Sequence, residues 1–396
     1  MHASSSSSWR ATLAGLSASL VGIGLARFAY TPLLPAIIDA HWFAASAAAY
    51  LGAANLAGYL AGAVLARGMA RRMGAAAAIR LMMVVATLAL LACALPVSFI
   101  WFFSWRFASG FAGGVLMVLA APTVLPRVPP SRRGLAGGVI FMGVGVGIAL
   151  SGTLVPLLLR EGLTITWLGL GAMAALLTLA SWSSWPREGV HETTTSPHAP
   201  MHGNSRLRVL YAGYGLNAVG LVPHMIFLVD FVAHGLGLGL HAGAAYWVMF
   251  GIGALIGPLA TGHLADRTGF GPALRLAFLI EAVAVLLPAL GLGQFALMVS
   301  SVVVGAFTPG IVPLALGRVH ELLPHHAEDQ KAAWSAATTS FAVLQATAAY
   351  GMSFLFAHNG GEYPWLFVIG ATAMVLALAI DLVAAVAGAG RRFPVT

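Results

Sequence analysis

Trp185 to Leu207 read WPREGVHETTTSPHAPMHGNSRL, a long polar run in an otherwise apolar chain. Pro186, Glu188, Glu192, three consecutive threonines, Pro197 and Pro200 make it too polar to cross a lipid core and too proline-rich to continue a helix. Six apolar stretches precede it, near 11–38, 43–66, 75–95, 98–124, 134–158 and 164–184. Six follow, near 208–233, 242–264, 273–291, 295–317, 332–357 and 363–387. Each is close to or above the roughly 20 apolar residues that a spanning helix needs. The expected fold is therefore all-α and integral to the membrane, with twelve transmembrane helices in two pseudo-symmetric six-helix bundles. The expected units are 1–184, a cytoplasmic linker 185–207, and 208–396. Strands of a membrane β-barrel are shorter and alternate in polarity, which these stretches do not.

The chain is 59% hydrophobic and 8% charged, against roughly 25% charged in soluble proteins. All but three of its 20 Lys and Arg residues fall in alternate gaps between the apolar stretches; the other gaps hold only Arg160. Basic short loops stay on the cytoplasmic side during insertion, so both termini and the linker are expected in the cytoplasm of a multi-pass inner (plasma) membrane protein. The cations are spread over many loops, which fits contact with anionic lipid headgroups and gives no patch for nucleic acid. Cys93 is the sole cysteine, which excludes an intramolecular disulfide and a cysteine-based metal site. No metal or cofactor is expected, and the first stretch reads as a retained helix.

The two halves echo one another. Gly58 to Ala66 (GYLAGAVLA) parallels Gly257 to Ala265 (GPLATGHLA), and Pro122 to Val128 (PTVLPRV) parallels Pro313 to Val319 (PLALGRV). Gene duplication explains both matches, the equal helix counts and the central break. Repeated bundles with a site between them are a common transporter plan. Twelve spans, the six-plus-six division and Gly262-His263-Leu264-Ala265-Asp266-Arg267-Thr268-Gly269 after the eighth stretch resemble the major facilitator superfamily. The run from Gly22 to Pro35, GIGLARFAYTPLLP, further resembles its YbfB/YjiJ-type branch. The resemblance implies a secondary transporter working by alternating access, with helices one, four, seven and ten lining a central cavity. Two features depart from the pattern. The loop from Leu65 to Gly74 lacks the family's Asp, and the glycine-rich fifth stretch lacks the antiporter Gly-Pro pair, which argues against an exporter.

Arg27 and Arg106 lie inside apolar stretches. A cation at mid-membrane costs a few kcal/mol on insertion scales (roughly 2.5–3.5) and requires a partner or a wet cavity. At about 1.5 Å per residue the two fall at comparable depth. Tyr30 and Thr31 share a helix face with Arg27, and Phe102 shares one with Arg106. A guanidinium among aromatic and small residues suits a planar anion held bidentately; a structural bond to a carbonyl or carboxylate is the alternative. By the internal repeat, His224 aligns within one residue of Arg27. The expected substrate-binding set is Arg27, Tyr30, Thr31, Phe102, Arg106, His224 and Gln345. His224 and Asp230 are the proton-handling candidates, since imidazole changes charge near neutral pH. Two plainer roles stay open: His224 bonding a carbonyl freed by Pro223, and Asp230 sitting at the outer rim. Glu281 and Asp381 read as structural pairs outside the cavity.

The expected cytoplasmic gate pairs Asp266 and Arg267 with Arg132, Arg133 and the positive start of the fifth helix. Arg71 and Arg72 would face Glu328 and Asp329 across the other half. No nucleophile–base spacing or phosphate-cradling loop is present, so an enzyme is not expected. The expectation is a monomeric secondary transporter that moves a small organic molecule, an anion by preference, by alternating access coupled to protons. Efflux of amphipathic compounds and a non-transporting receptor or scaffold are the alternatives.

Overall fold

The computed structural model describes residues 5–129, 132–186, 205–324, 327–359 and 362–390. Most of the expected linker, 187–204, lies outside the described residues, as do His325, His326 and the chain ends. The described chain is helical and contains no strand. Helix α1 runs from Ser5–Ser19 through a π-helical Leu20–Phe28 into Tyr30–Asp39. It is followed by α2 (Ala45–Met73), α3 (Ala75–Ala92), α4 (Phe99–Val124), α5 (Arg133–Leu158) and α6 (Leu163–Ser181). Helix α7 starts as Ser205–Val222, widens into π turns at Pro223–Phe227 and Phe231–Gly235, and is followed by α8 (Gly239–Thr268) and α9 (Phe270–Leu286). Helices α10 (Gln294–Leu322), α11 (Ala327–His358) and α12 (Pro364–Gly390) complete the fold. Among the described residues, 10 helical runs are long and apolar enough to cross a membrane. Helices α2 and α11 are as long but are not among them. In α11 the interruption is chemical, because Ser335, Thr338, Thr339, Ser340 and Gln345 punctuate its apolar residues.

Local signals explain the boundaries. Ser98 caps α4 by accepting a hydrogen bond from the Trp101 amide at 3.1 Å. Gly74 and Gly269 end α2 and α8 at φ 84° and 83°, a backbone region that side chains with a Cβ avoid. Each therefore turns the chain sharply into the next helix, α3 or α9, at matching places in the two halves.

Helix packing repeats in the same way. A Cβ on Gly58 or Gly62 of α2 would overlap the carbonyl oxygens of Phe107 or Phe111 on α4. A Cβ on Gly253 or Gly257 of α8 would overlap those of Val302 or Ala306 on α10. Close backbone approach of this kind replaces the hydrophobic effect as the source of helix association in lipid. The duplicated GYLAGAVLA and GPLATGHLA segments are thus the contact seams of α2 with α4 and of α8 with α10. The halves meet through α5 against α8 and α2 against α11.

Candidate functional site

Between the halves lies a cavity of about 640 Å³. Its walls come from α1, α2 and α4 on one side and α7 and α11 on the other. The family resemblance implied helices one, four, seven and ten. Here α10 supplies no lining residue, since its glycine and small-residue face is pressed against α8.

Arg27 and Arg106 both line this cavity. The Arg27 guanidinium donates from Nη2 to Gln345 Oε1 at 2.7 Å, a bond that crosses from the first half to the second. Its Cζ also stands 5.4 Å from the ring centroids of Phe28 and Tyr59. Arg106 is 2% exposed and donates from Nη1 to the Ala26 carbonyl at 2.7 Å. That carbonyl belongs to the π-helical part of α1, where the widened turn loosens the backbone ladder and leaves acceptors for side chains. Arg106 Cζ lies 4.2 Å from the centroid of Tyr30, within cation–π range. Arg106 Nε and Asn55 Oδ1 are buried without a partner among the described residues. No Asp or Glu stands among the lining residues, so neither guanidinium meets an acidic counterion there.

Polarity is divided across the cavity. Arg27, Tyr30, Thr31, Asn55 and Arg106 come from the first half, while Val222, Met225, Ile226, Ala349 and Phe354 give the second half an apolar wall interrupted by Gln345, Tyr350, Ser353 and, at its end, His358. Tyr50, Tyr350 and Phe354 are exposed at the end that bears the α1–α2 and α11–α12 connections. The opposite end is shut. Trp334 on α11 is fully buried, donates from Nε1 to the Met117 carbonyl of α4 at 3.4 Å, and packs near Tyr214. The cavity therefore opens to one face only.

Of the expected substrate-binding residues, the structure brings Arg27, Tyr30, Thr31, Arg106 and Gln345 to the cavity. Phe102 is elsewhere, wholly buried against Trp42, Phe43 and Trp167. His224 is also elsewhere. It is fully buried inside the second half, with Nε2 2.7 Å from Ser300 Oγ and its ring edge-on to Phe367. The π turn that begins at Pro223 rotates the following residues relative to an α-helical register, so Met225 and Ile226 face the cavity in its place. Asp230 lies near the rim, bonded to His234 Nδ1 and Tyr363 Oη at 2.7 Å each. Asn55, Tyr50, Ser353 and Met225 line the cavity without having been expected there. A lone asparagine in an apolar helix was a readable signal for Asn55; nothing local marks the others.

The gate differs from expectation in its partners. The Asp266 carboxylate lies over the first turn of α5, where a Cβ on Gly134 would come within 2.9 Å of Oδ1. Arg133 donates from Nε to the Val128 carbonyl at 3.2 Å. Among the described residues no ion pair joins Asp266 to Arg132 or Arg133, or Arg71 or Arg72 to Glu328 or Asp329. Glu328 pairs with Lys331 at 2.7 Å, the neighbour one turn along its own helix. Arg267, Arg71 and Arg72 are exposed. Glu281 and Asp381 are paired, Glu281 with Asn217 at 2.7 Å and Asp381 with Arg275 at 2.5 Å.

Three solved structures share the fold. The proton:xylose symporter XylE bound to 6-bromo-6-deoxy-D-glucose aligns over 95% of each chain with a TM-score of 0.75 and 14% identity. FucP in the outward conformation aligns over 93% of this chain and 97% of its own, with a TM-score of 0.71 and 15% identity. A bacterial homologue of the iron transporter ferroportin in an outward-facing state aligns over 94% and 98%, with a TM-score of 0.69 and 14% identity. No curated protein matches the chain. The family described as "Uncharacterised MFS-type transporter YbfB" matches residues 19–382, nearly the whole described length. This chain belongs to that family of major facilitator transporters.

Proposed function

We propose that this protein moves a small amphipathic organic anion across the inner (plasma) membrane by alternating access, coupled to protons. The carrying observation is the pair of guanidiniums in one cavity with no carboxylate among its lining residues. A low-dielectric cavity with two unbalanced cations favours an anion that neutralises them. Arg27 is the primary anchor, and Gln345 occupies part of its fork until the anion arrives. The wall of Val222, Met225, Ile226 and Phe354 accepts an apolar body, as an aromatic or short-chain carboxylate provides. The basic loops at the closed end support a cytoplasmic location for it and an outward-facing opening for the cavity.

The same apolar wall supports efflux of amphipathic compounds as a second reading. Counterflow in proteoliposomes with labelled benzoate, xylose and tetraphenylphosphonium separates the readings. Exchange of benzoate that is lost in Arg27→Ala is the expected result. Exchange of the cation alone supports the second reading, and exchange of the sugar alone overturns the anion assignment.

A further inference from the structure

Inside the second half, away from the cavity lining, several polar side chains are wholly buried. Asn217 and His224 on α7, Glu281 on α9 and Ser300 on α10 are each 0% exposed. Asn217 Nδ2 donates to Glu281 Oε2 at 2.7 Å. The two remaining oxygens of the pair, Glu281 Oε1 and Asn217 Oδ1, have no partner. An ionised carboxylate and an amide oxygen are both acceptors, so with Glu281 charged neither orphan can satisfy the other. A proton on Oε1 changes this, because it supplies the donor that Asn217 Oδ1 lacks, while the amide N–H groups already donate to Oε2 at 2.7 Å and to Met374 Sδ at 3.3 Å.

Charge points the same way. Burying a carboxylate without a cation is far more costly than burying a hydrogen-bonded neutral acid. No cation is paired with Glu281 among the described residues, and the arginines of α9 and α10 have other partners. Arg275 on α9 is paired with Asp381 on α12, and Arg318 on α10 is paired with Glu321 of the same helix. His224 and Tyr214 on α7 are further buried titratable groups; the His224 Nε2 is held by Ser300, which in turn donates to the Ala284 carbonyl of α9 at 2.6 Å.

We infer that Glu281 is a proton-binding site, holding a neutral acid–amide pair with Asn217 that ties α9 to α7. Loss of the proton to water leaves a carboxylate facing an amide oxygen and opens one leg of the pair. The link from α9 to α7 is then reduced to the single amide leg on Oε2, a short way before the π turn at Pro223 from which Met225 and Ile226 reach the cavity. Proton occupancy of Glu281 thereby sets which side of the molecule opens, from a position that touches no substrate. This holds whatever molecule the cavity carries, so failure of the anion reading leaves it standing.

Infrared spectroscopy of the protein in lipid vesicles at neutral pH tests the protonation. The expected spectrum contains the carbonyl stretch of a protonated carboxyl that shifts in D₂O, disappears in Glu281→Gln and moves to higher frequency in Asn217→Ala. Absence of that band in wild type, or its persistence in Glu281→Gln, overturns the site. The link to access is tested with Ser353→Cys, placed in the cavity wall of a chain with Cys93 replaced, labelled by an impermeant thiol reagent across a pH series. Wild-type Glu281 is expected to give a several-fold change in labelling rate beyond the thiol's own ionisation, and Glu281→Gln, whose amide keeps the two-legged pair, none. Equal pH profiles in both backgrounds overturn the coupling.

Discussion

At the residue scale, two arginines in one cavity have different work. Arg106 is almost wholly buried, bonded to the Ala26 carbonyl and set against Tyr30, while Arg27 is more open and bonded to an amide across the halves. Arg106→Leu is therefore expected to cost about 1.5–3 kcal/mol of stability through a lost charged hydrogen bond, seen as a lower melting temperature. Arg27→Leu is expected to lower the melting temperature less, because the bond it loses to Gln345 faces the cavity, and to remove benzoate-induced stabilisation. Equal losses of stability in the two variants would contradict this division. Both arginines were legible in the sequence because a charge in an apolar stretch needs a reason. The direction of His224 was not, since an α-helical repeat was used to align it with Arg27 and both positions lie in π-helical segments. Phe102 misled for a related reason: sharing a helix face with Arg106 does not separate the cavity from the packed cluster of Trp42, Phe43 and Trp167 beside it.

At the element scale, the glycine seams decide how closely α2 meets α4 and α8 meets α10. Gly257→Ala puts a methyl into the Ala306 carbonyl of α10. The expected outcome is a large loss of monodisperse protein on size-exclusion chromatography, because backbone rather than a flexible side chain must move. Gly68→Ala, on the same type of helix but with nothing within 4 Å, is expected to be neutral or to stabilise by up to about 1 kcal/mol through helix propensity. A similar loss in both variants would mean that packing is not what those glycines provide. These seams were visible in the sequence as repeated segments, because close approach demands the smallest residue. The gate pairs were not visible, because exposed side chains such as Glu328 take the nearest partner, and an exposed pair is worth little in either arrangement.

At the scale of the whole molecule, one closed and one open end give a prediction about access. In a chain with Cys93 replaced, Ser353→Cys is expected to react with an impermeant thiol reagent added outside intact cells, whereas Ala337→Cys, fully buried on the same helix, is expected to be protected. Labelling of Ser353→Cys only after the cells are opened would reverse the orientation. The six-and-six plan was readable from the apolar stretches and the central break, while the open end, a property of how the halves lean, left no mark on composition. If the two arginines face alternate sides as the proposed cycle requires, they also expose the carrier to membrane voltage. Each elementary charge carried through the full potential is worth about 2.3 kcal/mol per 100 mV. On the reading proposed above, a monoanion carried with one proton adds no net charge, so the empty and the loaded carrier present the same charge to the field. Voltage then acts alike on both forms, so net flux and exchange are expected to share one voltage dependence, and a steeper response of net flux would mean that the anion travels without its proton.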